Sequence, residues 1–284
     1  MASWWRLLAI AGDPSLEPAY RALAIGLPSE GEIAQAIGRN VDPDSIRQAR
    51  NALGETLGKS LEAVRLAIRG ELETPVPYSP NAVTRAVNRP KKHASCLGVM
   101  AGSAQAEADT ISQFDNADNM NDSLCRIKPT VSVRVAKCGQ QGARCLREAH
   151  MADNPPVAGQ RVSAWGRPAG PASSALAALM KHPSFSIRNP NRVRSLLGMF
   201  ATANATASNA ASGEGYELMC TKIAEIDAIN PQVAARLMTA FRSWRMLEPG
   251  RRKLAQSAMK TLRTGNRAVS RHTGHPEFRI LAES

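Results

Sequence analysis

Asn230-Pro231-Gln232-Val233-Ala234-Ala235-Arg236-Leu237-Met238-Thr239-Ala240-Phe241-Arg242-Ser243-Trp244 decides the fold. An asparagine before a proline is a helix start, because the side-chain oxygen caps free amides and the proline has no N–H to leave unbonded. Val233, Leu237, Met238, Phe241 and Trp244 then recur at helical spacing. The same grammar repeats on both sides. Asn189-Pro190 opens a helix through Val193, Leu196, Leu197 and Phe200. After a loop rich in Ala, Asn, Ser and Thr, Gly215 leads into a stripe of Tyr216, Met219, Cys220, Ile223 and Ile226. Pro249 opens a last helix, expected to present Leu254, Ala258 and Leu262 as far as Gly265. A short stripe of Leu176, Leu179 and Met180 precedes them all.

The N-terminal part follows the same rules. Ser29-Glu30-Gly31-Glu32 has the form of a capping box, with serine and glutamate each bonding an amide of the first turn. Asp42-Pro43 starts a long stripe of Ile46, Ala49, Leu53, Leu57, Leu61, Val64 and Ile68, which Gly70 ends. Tyr78-Ser79-Pro80 reads as a further helix start. Short helices in succession, joined by tight proline turns, define an all-α chain: a superhelical, solenoid-like stack of paired antiparallel helices.

Between these parts the pattern is lost. Ser123 to Ser173 holds eight basic residues (Arg126, Lys128, Arg134, Lys137, Arg144, Arg147, Arg161, Arg167) against Glu148 and Asp153, with frequent Gly and Pro. Val131–Val135 alternates like a strand but has no partner in sequence. By composition this middle buries little and is expected to be irregular and of low order. The expected organisation is therefore residues 1–87 and 174–268 as two helical parts, 88–173 as the divergent segment, and 269–284 as a tail.

Bulk composition agrees with helix packing. Hydrophobic residues are 43% of the 284, aromatics only 4%, which suits a core of Ala, Leu, Ile, Val and Met. The apolar run Leu7 to Ala11 is far too short to cross a bilayer, and no basic segment precedes it as a secretory signal would require. Five cysteines without regular spacing imply no disulfide framework, so a cytoplasmic setting is expected and no membrane partner. Net charge is +12, from 36 basic and 24 acidic residues, which raises nucleic acid as a partner. The basic run Arg251-Arg252-Lys253, Lys260, Arg263, Arg267 and Arg271 carries that argument. It lacks interleaved aromatics for base stacking, so a solvated face is favoured over a nucleic-acid site.

Two strings resemble one family. Lys181-His182-Pro183-Ser184-Phe185-Ser186-Ile187-Arg188-Asn189-Pro190-Asn191-Arg192-Val193-Arg194-Ser195-Leu196 is similar to a signature near the C-terminus of bacterial aminopeptidase N, the zinc-dependent alanyl aminopeptidases. Gly213-Glu214-Gly215-Tyr216 and Asn230-Pro231-Gln232-Val233-Ala234-Ala235-Arg236-Leu237 continue the likeness. Leu27-Pro28-Ser29-Glu30, Val41-Asp42-Pro43 and Ala117-Asp118-Asn119-Met120-Asn121-Asp122 fall in the family's order upstream. The likeness covers residues 15–87 and 175–260 and, in patches, 94–122. It implies a fragment without the catalytic domain: a helical superhelix that packs over that domain and closes the cavity through which peptides reach the zinc. It also implies that Arg194 and Arg236 face that cavity, where a planar fork of donors suits a peptide's carboxylate or carbonyls. The expected partners are accordingly an aminopeptidase N catalytic domain and, through it, peptide.

The family's chemistry needs a His-Glu-x-x-His helix and a Gly-x-Met-x-Asn loop, and neither string occurs here. Of the five histidines (His93, His150, His182, His272, His275), no pair has the required spacing with an intervening glutamate. No catalytic residue, metal ligand or cofactor is therefore expected in this chain, and no enzymatic activity of its own; the zinc would belong to the parent's catalytic domain. Cys138 and Cys145, near Cys125 and His150, are spaced too widely for a structural zinc knuckle. His272 and His275 fall in the tail. The resemblance also breaks after Asp122 and returns near Leu176, as a compensated frameshift or rapid divergence would leave it. The alternative function is a stand-alone basic helical module for nucleic acid or an acidic protein.

Overall fold

The computed structural model describes residues 4–24, 26–71, 96–115, 176–177, 179–181 and 185–264. Of the expected low-order segment 88–173, residues 96–115 are described and largely helical, while the rest of it, the Val131–Val135 alternation, the Tyr78-Ser79-Pro80 start and the three expected domain limits lie outside the described residues. Among those described, every regular element is a helix, apart from one isolated parallel bridge between Val41 and Leu247. None of these helices is long and apolar enough to cross a membrane. The chain divides into two compact units: residues 1–28 with 48–147, and residues 29–47 with 148–284.

The first unit contains α1 (Trp4–Gly12), α2 (Pro18–Ala24), the part of α4 (Pro43–Ser60) beyond Arg47, α5 (Glu62–Glu71), helical residues 96–100 and α6 (Ala104–Asp115). Its small core is Ala11, Leu57, Leu61 and Leu97, with Leu27 and Val64 packed against it. Two glycines one turn apart on α4 set how closely residues 97–101 approach. A Cβ on Gly58 would lie 2.3 Å from the Leu97 carbonyl oxygen, and one on Gly54 would lie 2.0 Å from the Met100 methyl. At the end of α1 the buried Arg21 donates from Nε to the Ala11 carbonyl at 2.9 Å, satisfying an acceptor that the helix leaves free.

The expected single stripe from Ile46 to Ile68 is divided: α4 stops at Ser60, Leu61 turns, and α5 begins at Glu62. Ile46, Leu57 and Leu61 are buried as expected, but Leu53 is half exposed. The continuous period anticipates the burial of Leu61 but not the break in the helix there.

The second unit holds α3 (Glu30–Ile37), the start of α4, α7 (Pro190–Val193), a π turn (Arg194–Gly198), α8 (Met199–Ala203), α9 (Ala205–Ser208), α10 (Glu214–Asp227), α11 (Pro231–Met238), two 3₁₀ turns (Thr239–Phe241 and Trp244–Met246) and α12 (Pro249–Thr264). The capping box forms in full. The Glu32 amide donates to Ser29 Oγ at 3.2 Å, and the Ser29 amide donates to Glu32 Oε2 at 2.7 Å. Gly38, at φ 73°, closes α3 in the left-handed conformation that glycine alone adopts freely. Replacing Ser29 by alanine is expected to cost about 1 kcal/mol, read as a lowered midpoint in urea unfolding.

This unit carries the main core, including Val193, Leu196, Leu197, Phe200, Tyr216, Met219, Ile223, Ile226, Val233, Leu237, Met238, Phe241 and Trp244. These are the sequence stripes, buried where the spacing puts them. Two expectations change. The Ala/Asn/Ser/Thr loop is partly ordered as α9, with Asn204 and Ser208 buried, because their side chains find partners: Arg47 and Thr206 donate to Asn204 Oδ1, and Ser208 Oγ donates to the Asn204 carbonyl. On α12 the buried positions are Arg251, Ala255, Met259 and Leu262, while Leu254 stays partly exposed.

Candidate functional site

Asn189 accepts from the Asn191 amide at 3.0 Å and the Arg192 amide at 3.3 Å, with Pro190 following as the sequence implied. The helix holds α geometry only to Val193. From Arg194 to Gly198 the turn widens to a π turn before α8 resumes. Such turns are uncommon and recur at functional positions. Arg194 opens it, exposed, while Leu196 and Leu197 point inward.

Arg236 lies in the last turn of α11, whose cap is the Asn230 side chain accepting from the Val233 amide at 3.2 Å. Val233, Ala234, Leu237 and Met238 occupy the buried face and Arg236 the exposed one. The α11 helix packs on the π turn: a Cβ at Gly198 would meet Leu237 Cδ2 at 4.0 Å. Both arginines therefore sit on adjoining elements of one unit. Among the described residues no salt bridge is recorded for either.

A third arginine reverses its sequence reading. Arg251, assigned to a solvated basic run, is buried. Its Nε donates to the Asn209 carbonyl at 2.7 Å, one terminal nitrogen to Asp42 Oδ1 at 2.8 Å and Glu248 Oε1 at 3.5 Å, and the other to Asp44. Arg252 is also engaged, donating to the Leu247 carbonyl at 2.9 Å. The Ser45 hydroxyl holds the Asp42 carboxyl below its ordinary value, helped by the Asp44 amide and the Arg251 charge and opposed by burial. Glu248 is lowered by the amides of Gly250 and Arg251. Burial raises the Tyr216 phenol, whose hydroxyl donates to Asn209 Oδ1 at 3.2 Å. No sequence pattern marks this cluster, since Asp42 and Asp44 stand 209 and 207 positions from Arg251.

The faces of α10 and α12 enclose an open cleft of about 540 Å³, lined by Glu217, Cys220, Ala224, Leu254, Ala258 and Leu262 among others. Burial pushes the Cys220 thiol up to about 12. Its alkylation by iodoacetamide at pH 8 is expected to be roughly a hundred- to a thousandfold slower than that of a free cysteine peptide, followed by mass spectrometry of the folded chain.

No group of three His, Cys, Asp or Glu among the described residues could hold a metal ion, so nothing described here fits the zinc that the family uses. The Cys125, Cys138, Cys145 and His150 arrangement lies outside the described residues, as do His272 and His275.

Helical fold and capped turns together define the class: a helical-repeat domain. Residues 4–273 match the family described as "Domain of unknown function (DUF3458_C) ARM repeats", and the chain belongs to that family. The aminopeptidase N of Caulobacter vibrioides is 31% identical over 242 residues, 84% of this chain and 27% of that protein. The aminopeptidase N of Escherichia coli is 29% identical over 268 residues, 90% of this chain and 29% of that protein. The chain thus spans less than a third of either relative. In solved structures, Legionella pneumophila aminopeptidase A in complex with aspartic acid matches 97% of this chain and 32% of its own, with a TM-score of 0.81 at 21% identity, a likeness of fold. The resemblance to the C-terminal helical domain of aminopeptidase N, drawn from the Lys181–Leu196 and Asn230–Leu237 strings, is borne out.

Proposed function

We propose that this chain acts as a non-catalytic domain of an aminopeptidase N, capping a zinc-bearing catalytic domain and shaping the path by which peptides reach it. Arg194 and Arg236 face that path and hold the carboxylate or carbonyls of the peptide, and the assembly works in the cytoplasm. The observation that supports this most is the pair of exposed guanidinium groups on packed elements, in a domain whose relatives are aminopeptidases. A buried or ion-paired arginine would have no capacity left for a ligand. Among the described residues no group could hold a metal ion, and in this reading the chemistry belongs to the partner domain.

A chimera tests the reading. This chain replaces the matching region of the Caulobacter enzyme, and Arg194→Ala and Arg236→Ala are introduced. KM for tri- and tetrapeptides is expected to rise about tenfold, the loss of one charge-assisted hydrogen bond, with hydrolysis of a short aminoacyl anilide unchanged. The isolated chain with added zinc should give no turnover; clear turnover would overturn the non-catalytic assignment. Equal KM values in variant and parent chimeras would remove the two arginines from the path. The alternative, a basic module for nucleic acid, loses two of its cations to structural duties in Arg251 and Arg252.

A further inference from the structure

Residues 29–47 belong to the unit formed by the far end of the chain, not to the residues that follow them. The segment is held by three kinds of contact at once. Its backbone adds to residues 246–248: the Val41 amide donates to the Met246 carbonyl at 2.8 Å, and the Glu248 amide donates to the Val41 carbonyl at 3.0 Å. Val41 and Ile46 enter the main core, at 3% and 6% exposure. Arg251 clamps Asp42 and Asp44, and Arg47 reaches Asn204 Oδ1 at 3.1 Å. The segment is helical at Glu30–Ile37 and again from Pro43, and a one-residue backbone bridge at Val41, two buried apolar anchors and a charged clamp fix its place and register, as a docked peptide requires. The partners stand 157 to 209 positions apart, so the contacts form without help from neighbouring sequence.

We propose that the surface built from Asn204, Asn209, residues 246–248 and Arg251 is a peptide-docking site whose occupant is residues 29–47, and that it binds this segment in trans. The two ends of the chain then hold together without covalent continuity through the residues between them.

The test inserts a specific protease site after Gly139 in the full chain and cleaves it. The two pieces are expected to elute together as one species at micromolar concentration, and an excess of free peptide 29–47 is expected to release the N-terminal piece. Arg251→Met in the cleaved chain should weaken their association at least tenfold. If uncut Arg251→Met loses its helical circular dichroism, Asp44→Asn replaces it, since that carboxylate is half exposed and its loss leaves the core intact. Separation of the unmutated pieces on cleavage overturns the proposal. So does a cleaved clamp variant that holds as tightly as the parent.

Discussion

Gly215→Ala is expected to lower stability by about 3 kcal/mol, the upper range for overpacking, and the melting temperature by roughly 6–12 °C. Gly215 is in the first turn of α10, where the helix starts against the end of α9. A Cβ there would stand 2.4 Å from both the Ala207 and Ser208 carbonyl oxygens. Those oxygens are backbone and cannot swing aside, so α10 itself must shift. Tyr216, Met219, Cys220 and Ile223 follow at core positions, and any shift of α10 disturbs all four. Gly31 is the control. A Cβ there meets nothing within 4 Å, and alanine in that helix is expected to stabilise by about 0.5 kcal/mol. Thermal melts of the two variants decide the matter: a Gly215→Ala midpoint within about 2 °C of the parent would contradict the close approach of α9 and α10.

Arg251→Met is the second large effect. Removing one partner of a buried ion pair commonly costs about 3–5 kcal/mol because the other charge is stranded. Here Asp42, Glu248 and Asp44 keep side-chain exposures of 38%, 32% and 51%, so water can rehydrate them. The expected cost is therefore lower, about 2–3 kcal/mol, most of it the lost packing and the orphaned Asn209 carbonyl. Combining Arg251→Met with Asp44→Asn should cost less than the sum of the two, since each removes the same contact. Strict additivity in denaturant titrations would mean that the pair does not interact.

Acid sensitivity has a different origin. Asp42 and Glu248 both have folded-state values below their ordinary 3.8 and 4.5. Their contribution to stability is complete above those ordinary values and is lost as pH falls through the lower, folded ones. The largest cause at Asp42 is the Ser45 hydroxyl, not Arg251. Ser45→Ala should accordingly flatten the dependence of stability on pH below about 4 more than Arg251→Met does, and the reverse order would assign the shift to the guanidinium.

Much of the helical grammar was legible because cap chemistry is local. Ser29 with Glu32, Asn189 with Pro190 and Asn230 with Pro231 each satisfy amides within three residues, and the structure places those starts as read. Features set by distant contacts were not legible. The turn at Leu61, the π turn at Arg194 and the close approach at Gly215 depend on what packs against them. On α12 the sequence reads as a stripe through Leu254, Ala258 and Leu262. The buried stripe instead runs from Arg251, because three carboxylates supply a partner that a helical wheel does not show. Of the candidate site, the identities of Arg194 and Arg236 came from the family resemblance. Their exposure and their placement on packed elements needed the fold.

The bridge between Val41 and Leu247 also sets a timetable for synthesis. Asp42 leaves the ribosome 209 residues ahead of Arg251. At about 5–20 residues per second, that is a wait of roughly 10–40 s. For most of that interval Val41 and Ile46 have no core to enter, and throughout it Asp42 and Asp44 lack the Arg251 cation. The second unit is thus completed by its first-made segment, and only once its last helix has been translated.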